Sequence, residues 1–144
     1  MASISSDFTL SVDSAEVTRA LDEYLDAPGE DVPDVVQLAR RHRALPLWKD
    51  FMGCIALRPS GDLVFWSWDE PDKVERVGSA GEHDRRMVHA ARAQGARRFA
   101  GIAGLAPARG HDARICSSCG GSGKIANVPE NVVCECGGLG WVSW

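Results

Sequence analysis

Four of the five cysteines lie in two tight pairs, Cys116-Ser-Ser-Cys119 and Cys134-Glu-Cys136. Each pair runs into glycines: Cys119-Gly-Gly-Ser-Gly123 and Cys136-Gly-Gly-Leu-Gly140 are two copies of C-x-G-x-G. Four thiolates from two pairs are the donor set of a tetrahedral structural zinc site, so Cys116, Cys119, Cys134 and Cys136 are the expected ligands and zinc the expected cofactor. The glycines suit that chemistry. A chain folding back around a metal needs positive φ just after the second ligand, and its amides must approach the sulfurs closely. The competing chemistry is a reduced dithiol pair or a disulfide, the second of which a reducing compartment disfavours.

Four sulfurs around zinc leave no open position for water, so the site is expected to be structural and not catalytic. The other reactive residues form no second constellation. Cys54 lies mid-strand beside Ile55, the setting of a buried, inert thiol. His42 and His89 fall on predicted helices, and His83 and His111 near loop ends, without H-E-x-x-H spacing. His111, five residues before Cys116, is an alternative ligand that four cysteines make unnecessary. Asp69, Glu70 and Asp72 surround Pro71 as a solvated turn would. Gly120-Gly-Ser-Gly-Lys124 belongs to the cysteine knuckle and is no phosphate-binding loop. The chain is expected not to be an enzyme.

Charge suggests what it binds instead. Across 144 residues the net charge is −4, which favours neither nucleic acid nor membrane. Residues 1–38, however, hold nine acidic side chains against Arg19 alone, a local balance of −8. Residues 85–114 hold seven arginines against Asp112 alone, a local balance of +6. Two solvated faces of opposite sign account for this pattern most simply. Beyond that, a protein-binding module is expected, with Trp66, Trp68, Asp22, Glu23 and Asp26 at its partner surface. Five tryptophans are many for this length, and Trp is enriched at binding hot spots. A basic protein such as a nuclease toxin would suit the acidic surface. The alternative is a nucleic-acid-binding regulator using the Arg-rich 85–114 stretch and the zinc finger. The N-terminal residues show no signal-peptide pattern. The longest strongly apolar run, Phe51 to Leu57, is too short to span a bilayer, so the chain is expected in the cytoplasm.

The elements that must position these residues follow from periodicity and punctuation. Phe8–Val12 alternates as a short strand. Asp13 and Glu16 suggest a capping box opening a helix to about Ala27, with Val17, Leu21, Tyr24 and Leu25 inward and Pro28-Gly29 stopping it. A second helix, Pro33 to Ala44, buries Val35, Leu38 and Ala39 and ends at Pro46. Met52–Arg58 and Asp62–Trp68 flank Pro59-Ser60-Gly61 as a β-hairpin. The first strand puts Ile55 and Leu57 on one face and Cys54 and Ala56 on the other, and the second separates Leu63, Phe65 and Ser67 from Val64, Trp66 and Trp68. Bulk on both faces makes this hairpin central to a sheet. Val74–Val77 adds a strand, and a helix opens at a Ser79/Glu82 capping box and closes at Gly95. Phe99, Ile102 and Ala103 form a short amphipathic turn leading to Leu105-Ala-Pro107.

The cysteine region resembles the cysteine-rich zinc finger of DnaJ-type co-chaperones over about residues 114–142, with two cysteine pairs instead of four. The second copy departs at Val133, where that motif places a cysteine, so Cys134 must substitute; no His-Pro-Asp signature of a J-domain occurs. The resemblance implies a zinc-stapled β-hairpin. Leu47-Trp48, Gly53–Leu57 and Ser60–Trp66 with the cysteine tail are also similar in layout to the SUKH group of bacterial toxin-immunity proteins. The expected fold class is therefore α+β: a small antiparallel sheet with flanking helices over residues 1–112, and a zinc-finger module over 113–144.

Overall fold

A computed structural model describes residues 10–27, 31–77, 82–111, 113–124, 134 and 136–142, with the backbone alone at 82–84. Its order is α1 (Ser14–Asp26), α2 (Pro33–His42), β1 (Leu45–Lys49), β2 (Gly53–Leu57), β3 (Leu63–Ser67), β4 (Val74–Arg76), α3 (Glu82–Arg98), a 3-10 helix (Ala100–Leu105), β5 (Arg114–Ile115) and β6 (Trp141–Val142). The first four strands form one antiparallel sheet in the order β1-β2-β3-β4, and β5 pairs with β6 in a second. The fold is α+β.

The β2–β3 hairpin is central, as expected, and its register fixes how the faces of the two strands match. Ile55 opposes Phe65 and Leu57 opposes Leu63; between them Cys54 opposes Trp66 and Ala56 opposes Val64. Every residue of β2 is buried. Alternation sends the two sets to opposite faces. On one face Leu47, Ile55, Leu57 and Leu63 pack with Val17, Leu21 and Tyr24 of α1, Met87, Val88 and Ala91 of α3, and Ile102 and Leu105. On the other, Cys54, Ala56, Val64 and Trp66 pack with Leu38, Ala44, Trp68 and Val74.

α1 begins at Asp13 as expected, but the cap is not a reciprocal box. Asp13 Oδ1 accepts the amide of Ala15 at 2.9 Å, while Glu16 turns to Arg19 at 3.2 Å. The Phe8–Val12 strand lies partly outside the described residues. Its described part, 10–12, is not a strand, although the Leu10 amide donates to Gly61 O at 2.8 Å.

Two helix ends differ from expectation, each because of tertiary contact. α2 stops at His42, its C-cap Arg43 taking the left-handed conformation (φ 51°). Pro46 does not end that helix; it lies inside β1, a strand the sequence pattern missed. β1 is an edge strand, where a missing N–H is tolerated, and a bulge between Pro46 and Trp48 absorbs the irregular pairing. α3 runs through Gly95 to Arg98. Gly95 is there for space: a Cβ would fall 2.6 Å from Leu47 Cδ2, so the glycine lets α3 lie close on β1. Ser79 of the expected capping box lies outside the described residues.

Candidate metal centre

The cysteine knuckles are built by local backbone geometry. After Cys119 the chain turns so that the Gly123 amide donates to Cys119 Sγ at 3.2 Å; after Cys136 the Gly140 amide donates to Cys136 Sγ, also at 3.2 Å. Both donors need glycine. Gly123 and Gly140 have φ of 78° and 84°, and a Cβ would meet Gly138 O at 2.4 Å or Gly121 O at 2.3 Å. The knuckles thus face each other through bare backbone. The Cys116 amide donates to Gly140 O at 3.0 Å, continuing the β5–β6 ladder into the site.

This arrangement brings the four predicted ligands together. Cys116 Sγ lies 3.6 Å from Cys134 Sγ, and Cys119 Sγ lies 3.8 Å from Cys136 Sγ. All four sulfurs fall within 4.8 Å of one another and could hold a metal ion. The distances exceed the roughly 2.0 Å of a disulfide, and all five cysteines are free. Val133 lies outside the described residues, but Cys134 joins the other three sulfurs without it. Cys116, Cys134 and Cys136 are buried, and Cys119 is partly exposed.

Three of these thiols have shifted ionisation. Burial raises the pKa of Cys134 and of Cys136. Burial also opposes ionisation of Cys119, but the Gly123 and Gly121 amides and the Cys116 and Cys134 side chains outweigh it and bring its pKa down to about 7. A cation among the sulfurs would favour the thiolate at each of them.

The module is packed onto α3. Gln94 Nε2 donates to Gly137 O at 2.7 Å in a buried contact, and Arg97 Nη2 reaches Gly138 O at 3.4 Å. His89 meets the Trp141 ring edge-on at 5.2 Å. Burial lowers the His89 pKa, the Arg92 charge adds to this, and hydrogen bonds to the Trp141 and Cys136 backbone oppose it. Gln94 and His89 are site-supporting residues that the sequence pattern did not single out; no local motif marks them.

The expected partner surface is divided. Trp66 is 0% exposed and touches the His42 ring at 5.1 Å, so it is core and has no surface to offer a partner. Trp68 is half-buried, its indole N–H bonded to Asp50 O at 2.7 Å. Asp22, Glu23 and Asp26 are exposed on α1, which packs on the sheet face opposite the one carrying Trp66 and Trp68. The sheet therefore separates the two halves of that surface.

The arginine stretch is largely engaged within the fold. Arg92 Nε donates to Leu105 O at 2.9 Å, Arg97 binds Gly138 O, and Arg109 lies 6.0 Å over Trp141. Arg98 Nη2 pairs with buried Asp31 at 2.8 Å. Asp31 also accepts from Tyr24 OH at 2.6 Å and pairs with Lys49. Cys54 is fully buried, and burial pushes its thiol up to about 12. His42 bonds Pro71 O at 2.8 Å.

The chain matches no protein-family model, no curated protein and no solved structure among those compared. No helix among the described residues is long and apolar enough to cross a membrane.

Proposed function

We propose that this chain is a non-catalytic, zinc-stapled protein-binding module of the cytoplasm, an adaptor or immunity protein whose partner is basic. The observation that carries it is the cluster of four cysteine sulfurs. Zinc–sulfur bonds of about 2.3 Å in a tetrahedron place sulfurs about 3.8 Å apart. The separations of 3.6 and 3.8 Å fit that geometry, and an all-sulfur donor set suits zinc. Cys116, Cys119, Cys134 and Cys136 would hold the ion, whose part is to close the knuckles and not to activate water.

The exposed charges support a basic protein over a nucleic acid. Asp22, Glu23 and Asp26 are exposed and make no ion pair among the described residues. The arginines that would have to meet phosphate are in large part occupied: Arg92, Arg97, Arg98 and Arg109 serve the 3-10 helix, the knuckle, Asp31 and Trp141.

Metal analysis with X-ray absorption is expected to find one zinc per chain with four sulfur neighbours. A nitrogen ligand, or metal well below one equivalent, would overturn the zinc assignment. A mobility-shift assay with mixed DNA and RNA at low salt should show no binding. A steeply salt-dependent shift, lost on charge reversal of exposed Arg85 and Arg114, would favour the nucleic-acid alternative.

A further inference from the structure

The turn joining β1 to β2 presents an aromatic ring to solvent. Phe51 is 91% exposed, more than any other large apolar residue described, and Met52 beside it is 49% exposed. Single exposed apolar residues are ordinary, but this adjacent pair sits on a turn held from several sides. Asp50 Oδ1 accepts the amides of Met52 at 2.8 Å and Gly53 at 2.9 Å, and the Asp50 amide donates to Gly53 O at 3.0 Å. Trp68, just past the end of β3, clamps the turn, its indole N–H on Asp50 O at 2.7 Å and its amide on Met52 O at 3.1 Å. These bonds hold the backbone on either side of Phe51, and preorganisation of that kind lowers the ordering cost of binding.

The acidic residues that follow Trp68, whose amide bonds Met52 O, indicate the complement. Arg41 pairs with Asp72, Lys73 with Glu75 at 3.6 Å, and Lys49 with Asp31. Asp69 and Glu70, which directly follow Trp68, are exposed and make no ion pair among the described residues. Lys49 and Tyr24 both bind Asp31, so the strand leading into the tip and the acidic α1 converge on one carboxylate.

We propose that Phe51 and Met52 are the apolar anchor of the partner surface and insert into a hydrophobic pocket rimmed by lysine or arginine on a basic protein. This rests on the binding role proposed above and gives the exposed tip the part that buried Trp66 cannot play. Trp68 is the positioning residue, holding the turn from behind.

The test replaces Phe51 in the full chain with the photo-cross-linker p-benzoylphenylalanine and irradiates it in the native host. The cross-linked protein is identified by mass spectrometry, purified and titrated against three variants. Phe51→Ser should weaken binding by about 30-fold or more with an unchanged melting temperature, as expected of a hot spot. Asp69→Asn with Glu70→Gln should slow association and reduce its salt dependence. The inference is overturned if no protein is captured, if Phe51→Ser binds as tightly as wild type, or if the charge variant changes nothing. A cross-link between two copies of this chain also overturns it, as does Phe51-dependent binding to phosphatidylglycerol vesicles instead of a protein. If neutralising Asp22, Glu23 and Asp26 abolishes binding while Phe51→Ser does not, the anchor falls and the proposed function stands.

Discussion

Gly140 shows how much one residue type carries at the metal centre. Its amide reaches Cys136 Sγ only because the backbone adopts φ 84° with Gly121 O in the space a Cβ would fill. Gly140→Ala is therefore expected to weaken metal binding about 10- to 100-fold, the usual range for lost ligand support, measured by chelator competition. Cys54 is the opposite case, a thiol with no exposed surface. Cys54→Ala should cost on the order of 1 kcal/mol in denaturant titration. Its pH dependence has a definite sign. Burial raises the folded pKa from 9.0 to about 12, so the folded state favours the neutral thiol. That stability is fully present below pH 9.0 and is lost as pH rises toward 12. Tyr24, raised by burial from 10.0 to about 12, acts in the same direction. Denaturation midpoints at about pH 8 and about pH 10 should differ less in Cys54→Ala than in wild type.

α3 is the element on which the two sheets depend. One side of it supplies Met87, Val88 and Ala91 to the main core, while Gln94 and His89 hold the cysteine module. The boundary expected near residue 112 is therefore crossed by direct contacts from helix to knuckle. Gln94→Ala leaves the buried Gly137 carbonyl without its donor, at a cost of about 1–3 kcal/mol. In the metal-loaded protein, amide exchange should accelerate across 137–142, and stripping the metal with a chelator should accelerate exchange in α3 as well. An α3 unaffected by metal removal would mean that module and helix are energetically independent.

At the scale of the molecule, Asp31 joins parts distant in sequence: Tyr24 from α1, Lys49 from β1 and Arg98 at the end of α3. Removing one charge of such a group leaves the others uncompensated. Lys49 and Arg98 keep 32% and 30% of their side-chain surface in solvent, which moderates the loss. Asp31→Asn is expected to lower stability by about 2 kcal/mol, read by urea denaturation, without changing metal content. The −8 balance of residues 1–38 and the +6 balance of residues 85–114 thus meet at Asp31 and Arg98 inside the fold. Part of that opposition is structural, while Asp22, Glu23 and Asp26 of α1 stay exposed.

What the sequence determined by itself was whatever short spacing controls. The four-cysteine cluster was legible because a C-x-G-x-G segment encodes its own turn and its own amide-to-sulfur bonds. The β2–β3 hairpin was legible because period-two alternation sets which side chains share a face. Tertiary structure alone decided which face stayed open. Trp66 and Phe51 are both aromatic residues near one hairpin, yet one is wholly buried and the other 91% exposed. The difference comes from what packs against each, Leu38 and Ala44 covering Trp66 while Phe51 rides on a clamped turn. The same holds for Pro46, which reads as a helix stop until an edge strand accommodates it, and for Gly95, which reads as one until β1 lies against it. Arg98 is likewise a free surface charge in the sequence and the partner of a buried carboxylate in the fold, because its partner lies 67 residues away. Contacts at that separation leave no local pattern, and they settle burial, charge pairing and the surface left for binding.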